Sequence, residues 1–243
     1  MIALVVSLLA ACGGGEPPPP PVRTPTPLDL STTGTIRGEV RFEGPVPPMK
    51  ELSFGSFSEC AAAHRGPVHA GDVLVHDGRL QNAFVYIQKG LGDRVFAIPT
   101  EPVEIDQRGC LYDPRVVGVQ VGQLIKYVNS DPTMHNVHGT PQASPNWNFA
   151  LPRVGAERDV RLNEPEVMVS VRCDLHPWMQ GWIGVVDHPY FAVTGADGTF
   201  ALPRVPPGTY TVTAWHERFG IRSAEVTLAE RGTADVTFTF AAR

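Results

Sequence analysis

Apolar and polar residues alternate along this chain in short runs that glycine and proline cut apart. The first run is Thr35 to Phe42, where Ile36, Val40 and Phe42 share one parity with Gly38 among them, and Gly44-Pro45-Val46-Pro47-Pro48 ends it. Residues 49–72 have no usable period. Val73-Leu74-Val75 reads as a short strand, Asp77-Gly78 as a turn and Ala83 to Ile87 as a further strand. Val103 to Asp106, the alternating Val117, Val119 and Val121, and Leu124 to Asn129 continue the series. Residues 139–156 read as a loop, with Asn146, Trp147, Asn148 and Phe149 as packing anchors. Arg158 to Leu162, Val167 to Arg172 and Gly181 to Val186 follow as strands. The last third offers Phe191 to Thr194, Phe200 to Leu202, Tyr210 to Trp215, Val226 to Leu228 and Val236 to Phe240, with turns at Asp197-Gly198 and Pro207-Gly208. A helix of three turns is not expected anywhere, so the pattern predicts an all-β protein of β-sandwiches.

Composition agrees with that picture and narrows the partners. The 243 residues include 24 Gly and 24 Pro and carry a formal charge of -5 without a basic block, which argues against nucleic acid. The length suits one large domain or two small ones. At the start, Ile2 to Ala11 is apolar and ends in Leu9-Ala10-Ala11-Cys12. An apolar stretch closing on small residues reads as an export signal. Leu-Ala-Ala-Cys also resembles a bacterial lipobox, which implies lipidation of Cys12, although no Lys or Arg occurs before Arg23. The expected location is periplasmic or extracytoplasmic, lipid-anchored to a membrane, with residues 1–12 as signal. Residues 13–34, with five consecutive prolines from Pro17 to Pro21, read as a disordered tether.

The chemistry concentrates in Cys173-Asp174-Leu175-His176-Pro177-Trp178-Met179, between two predicted strands. A thiolate, an imidazole and a thioether at i, i+3 and i+6 can surround one soft metal ion, and sulfur donors favour copper. A second imidazole is available in Met134-His135-Asn136-Val137-His138. His138 stays outside the set, because i and i+3 of an extended strand face opposite sides. Zinc would accept Cys and His without calling for Met, and a Cys-His nucleophile would need an orienting group that the sequence does not offer. Export also bears on the remaining cysteines. With Cys12 lipidated and Cys173 a free thiolate, Cys60 and Cys110 are left to pair in an oxidising compartment. A second metal site at Cys60 and His64 is the alternative. His64, His69, His76 and His188 read as surface or structural, and Trp178 and Trp182 as packing or shielding residues beside the ligand loop.

The His135-Asn136-Val137-His138 and Cys173 to Met179 motifs closely resemble the copper-site motifs of plastocyanin-like cupredoxins, with the short ligand spacing of the amicyanin type. Asn129 ending a strand ahead of Asp131-Pro132 is similar to the family's approach to its first histidine. The resemblance covers about residues 100–187. It implies one copper ion, Cu(I)/Cu(II), with His135, Cys173 and His176 as strong ligands, Met179 axial, and Asn136 bridging the two ligand loops. It further implies a non-enzymatic electron carrier that serves an unidentified redox protein, with no small-molecule substrate. Copper storage or delivery and a non-redox scaffold are the alternatives.

Residues 190–243 resemble the later strands of carboxypeptidase regulatory-like domains, small transthyretin-like sandwiches, through Thr194 to Phe200 and Val205 to Tyr210. The strands missing from that segment have candidates at Gly34 to Phe42 and Ala83 to Ile87. The expected organisation is therefore a regulatory-like sandwich of residues 35–99 and 187–243, interrupted by a cupredoxin at 100–186. Trp215-His216-Glu217 reads as a strand end with a solvent-facing ionic pair, contact across the domain boundary being the alternative.

Overall fold

The computed structural model describes residues 23–242. The signal, Cys12 and the proline run lie outside that range. Residues 23–33 form no strand or helix, yet they are not a free tether. The Thr26 N–H donates to the Val95 carbonyl (2.9 Å) and the Val95 N–H to Thr26 Oγ1 (3.0 Å), while Asp29 accepts from the backbone and hydroxyl of Ser31.

Eighteen strands form four sheets, and one five-residue helix, Ser58–Ala62, is the only helix among the described residues. Two sheets use strands from both ends of the described chain. In the first, Gly34–Glu43 lies between antiparallel Thr199–Val205 and parallel Thr233–Ala241, with Arg79–Leu80 and Val75–His76 extending the edge. The second runs Phe191–Val193, Phe84–Lys89, Gly208–His216, Gly220–Leu228. Their inner faces share one core, including Ile36, Val40, Phe42, Val85, Ile87, Leu202, Val212 and Phe240. The parity read from the first strand holds. Gly38 sits where a Cβ would overlap the Val236 carbonyl, so the parallel neighbour approaches only because no side chain is present.

The other two sheets use only residues 103–186. One runs Ala156–Arg161, Leu124–Asn129, Val103–Arg108, Leu111–Asp113. The other runs Trp147–Leu151, His135–Gly139, Glu166–Arg172, Gln180–Val186, Val116–Gln120. Ile125, Tyr127, Val119, Val137, Val169, Val171 and Ile183 meet between them in a second core. Trp147–Leu151 is a strand where a loop is expected. It pairs residue for residue with His135–Gly139, and tertiary pairing overrides the turn-rich composition around Pro145 and Asn146.

A third, smaller cluster joins the two sandwiches. Phe84 and Tyr86 pack on Val116 and Val186, with Trp182, Phe191 and Trp215 around them. Gly118 and Gly184, register partners on adjacent strands, leave a flat seat for Phe84, since a Cβ on either would overlap its ring. Glu217 crosses this boundary. Its carboxylate takes two bonds from Arg115 (2.6 and 2.8 Å) and one from Trp182 Nε1 (3.2 Å), and it is not the solvent-facing residue expected from its place at a strand end. The partner lies 102 residues away, so nothing local signals the contact. Among the described residues no helix is long and apolar enough to cross a membrane.

Candidate metal centre

At one end of the central sandwich, the strand that opens at His135 and the loop that follows Glu166–Arg172 converge. His135 Nδ1 and His176 Nδ1 are 3.0 Å apart, and Cys173 Sγ is 3.5 Å from His176 Nδ1. Ligand atoms of these three residues all lie within 4.8 Å of one another, and all three side chains are buried. The loop is short because it hydrogen-bonds to itself. The Met179 N–H donates to the His176 carbonyl (2.9 Å) and the Cys173 N–H to the Met179 carbonyl (3.2 Å). Met179 is buried in the same core as Cys173.

Two of the three donors, His135 and Cys173, are aimed by a hydrogen-bonding partner. Asp131 accepts from His135 Nε2 at 2.9 Å, which fixes the tautomer and leaves the Nδ1 lone pair facing His176 and Cys173. Asp131 is itself held, accepting from the N–H groups of Gly109 and Cys110 at 2.7 Å each. Its burial opposes ionisation, but the His135 bond and the two backbone donors outweigh that and keep its pKa below the ordinary carboxylate value. Asn129 braces the turn, donating through Nδ2 to the carbonyls of Thr133 and Leu151 and accepting from the Asp131 N–H.

Asn136 links the two ligand segments. Its N–H points at Cys173 Sγ (3.5 Å), and its Oδ1 accepts from the Asp174 N–H (2.6 Å) and faces the Cys173 sulfur at 3.2 Å. Its Nδ2 donates to Asn148 and Asp174. Burial raises the Cys173 pKa, but the His135 contact and backbone donors reverse the balance and bring it below the ordinary thiol value. Burial, with repulsion from His135 when that ring is protonated, pushes His176 down to about 4, so its ring is neutral at pH 7.

Two imidazole nitrogens and a sulfur turned toward one another in a buried site call for a shared proton or a cation among them. One sulfur and two nitrogens suit a soft or borderline cation, and the donor set fits copper. His138 points elsewhere. Its Nδ1 meets the Asp174 carboxylate at 2.9 Å, with Arg172 alongside.

The segment without a readable period, residues 49–72, covers the site. The helix Ser58–Ala62 carries Cys60, which is bonded to Cys110. Phe57 lies on the His176 ring (centroids 4.7 Å apart), Trp178 packs against both Phe54 and Phe57, and its Nε1 donates to the Cys110 carbonyl (2.9 Å). His64 is structural. It stacks on Phe54 and bonds the Gly109 carbonyl at 2.8 Å. The structure brings together His135, Asn136, Cys173 and His176, which the sequence singles out, and adds Asp131 and Phe57, which it does not. Asp131 stood in view next to Pro132, four residues before His135, but a contact across a turn has no periodic signature.

Against known proteins, residues 185–241 match the carboxypeptidase regulatory-like domain. No curated protein matches the chain. Three solved structures give partial likenesses. A Cu-containing nitrite reductase from Thermus scotoductus is 23% identical over 40% of this chain, with a TM-score of 0.32, and the match spans only 25% of the reductase. A purple cupredoxin from Nitrosopumilus maritimus is 19% identical over 34% of this chain and 98% of its own, with a TM-score of 0.30. The Cu(I) form of an amicyanin mutant is 19% identical over 43% of this chain and 98% of its own, with a TM-score of 0.32.

Proposed function

We propose that residues 103–186 are a type 1 copper module of the cupredoxin kind, and that the protein is an exported, lipid-anchored carrier of single electrons rather than an enzyme. The observation that carries this reading is the convergence of His135 Nδ1, His176 Nδ1 and Cys173 Sγ in one buried, preorganised cluster. Met179 closes the loop on the core side and is the proposed weak fourth ligand. Copper bound there would supply a one-electron couple, because mixed sulfur and imidazole ligation suits both Cu(I) and Cu(II). The chain's own contribution is rigidity. Asp131 holds the His135 ring, Asn136 ties the thiolate loop to the histidine strand, and Phe57 and Trp178 keep water from His176. Little needs to move between oxidation states.

We further propose that this module is inserted into a regulatory-like sandwich, which the strand pairing of Gly34–Glu43 with Thr199–Val205 and Thr233–Ala241 supports. The partner would be a second redox protein on the same side of the membrane. Copper delivery is the less favoured reading, because the disulfide-stapled cap over His176 suits retention of an ion rather than its release.

Copper(II) titration tests the reading. An intense thiolate-to-copper absorption in the visible region should rise to an endpoint of one ion per chain. Cys173→Ala should abolish the band while the β-sheet circular dichroism stays intact. A fully loaded wild-type protein without that band would rule the assignment out.

A further inference from the structure

Behind His176, on the cap side, lies a second group of soft donors. Ligand atoms of Cys60, Cys110 and His176 are within 4.8 Å of one another, and all three residues are at most 1% exposed. His176 Nδ1 is turned to His135 and Cys173, while its Nε2 is buried with no hydrogen-bond partner among the described residues. Such an orphaned nitrogen is costly in a protein interior and marks a place for a ligand.

Contacts besides the disulfide also hold the two cysteine backbones. The Cys110 N–H is held by Asp131 (2.7 Å), and its carbonyl accepts from Trp178 Nε1 (2.9 Å). His64 pins the preceding residue through the Gly109 carbonyl. Cys60 sits on the helix Ser58–Ala62, whose leading residue Phe57 is wedged against His176 and Trp178. With a Cα–Cα separation of 5.5 Å, rotation of the two side chains is enough to part the sulfurs around an ion once the bond is cleaved.

We propose that Cys60 and Cys110, when reduced, form with His176 a Cu(I) site of two thiolates and one imidazole. A dithiol reductant supplies the electrons. Its two S–H groups become its own disulfide, the Cys60–Cys110 bond breaks, and both cysteines are left as thiols. Binding of Cu(I) then releases the two thiol protons. Thiolate-rich ligation selects Cu(I). The site adjoins the proposed blue-copper centre and does not depend on it. Because His176 belongs to both sets, the state of one disulfide decides which thiolates that ring can serve beside.

The test uses the full chain with His135→Ala/Cys173→Ala, which removes the first site. The protein is reduced anaerobically with excess dithiol, freed of it, and titrated with Cu(I) against a chromophoric Cu(I) chelator. One ion per chain should bind after reduction and none before, with quenching of tryptophan emission through Trp178. Serine at both Cys60 and Cys110 should remove the uptake, and His176→Ala should weaken it at least tenfold. The milder Cys173→Ser variant is carried in parallel, so that misfolding of the double variant does not decide the result. No reductant-dependent uptake in either background, or uptake that survives the Cys60 and Cys110 substitutions, would overturn the proposal. A wild type that lacks the visible Cu(II) band, with this uptake present, would instead count against the first centre alone.

Discussion

The interior of the central sandwich turns polar at one end, around His135, where Asn129, Asp131, Asn136 and His176 are all buried. The outer sandwich keeps an apolar interior from Ile36 through Leu202 to Phe240, and its buried polar residues Thr194, His188 and His216 each hydrogen-bond to backbone groups. Both bodies use the same alternating strands and similar turns. What differs is where buried hydrogen bonding is spent. In the central body it turns His135 and Cys173 toward His176, whereas in the outer body it completes backbone satisfaction, as when Thr194 takes the Ala83 N–H and donates to the Leu80 carbonyl. A preorganised polar cluster needs an unyielding support, and the outer body supplies one through Phe84 and Glu217.

The strongest way to break this comparison is at the joint. Glu217→Leu leaves the part-buried Arg115 without its carboxylate, and the loss should approach the cost of breaking a fully buried pair, about 3–5 kcal/mol. Denaturant unfolding should show that loss, and emission from the Trp182–Trp215 pair (centroids 5.3 Å apart) should shift. The doubly apolar Arg115→Leu/Glu217→Leu protein should regain most of the stability. If the single variant lost less than about 1 kcal/mol, well short of the buried-pair range, the two bodies would not be coupled through this contact.

Acid should separate the bodies next. Burial, with Arg115 and Arg218 nearby, pushes His216 down to about 4 against a weaker opposing pull from Asp72, and it stacks on Phe219 in the outer core. A histidine whose folded pKa lies below its unfolded value leaves the unfolded chain binding more protons in between. Its contribution is therefore complete above about pH 6.5 and declines as pH falls toward about 4, by about 3 kcal/mol across that window. His188 is lowered in the same direction by burial. His216→Gln, which keeps an acceptor for the Arg218 N–H, should flatten the pH dependence of stability. An unchanged slope in that variant would assign the acid sensitivity to other groups.

The same contrast explains what could be read in advance. The outer core was legible because parity alone defines it: Ile36, Val40 and Phe42 fall on one face of a strand with no polar exceptions. The candidate ligand residues were legible because Cys173, His176 and Met179 crowd one turn. Residues 49–72 were opaque, since the cap is held by a disulfide, ring contacts at Phe54 and Phe57, and one five-residue helix, none of which imposes a period. Glu217 was misread for a related reason. Local sequence places it at a strand end, and only the meeting of distant surfaces puts Arg115 against it.

The smallest predicted effect probes the least legible residue of the site. Asp131→Asn keeps the size of the side chain but removes the charge that pairs with the two backbone N–H groups and the His135 ring. An amide can turn either its oxygen or its nitrogen to His135 Nε2, so the tautomer that frees Nδ1 is no longer enforced. Loss of a carboxylate behind a ligating histidine typically weakens metal binding by about 10–100-fold, or about 1.4–2.7 kcal/mol. Competition with a Cu(II) chelator should read that change directly, while the apolar core of the outer sandwich leaves its own unfolding unaffected. Asp131→Glu should not rescue it, because a longer side chain cannot meet Gly109, Cys110 and His135 at once. If Asp131→Asn bound copper as tightly as the wild type, orientation of His135 would rest on strand position alone, and the polar end of the central sandwich would be serving stability, as buried polar groups do in the outer one.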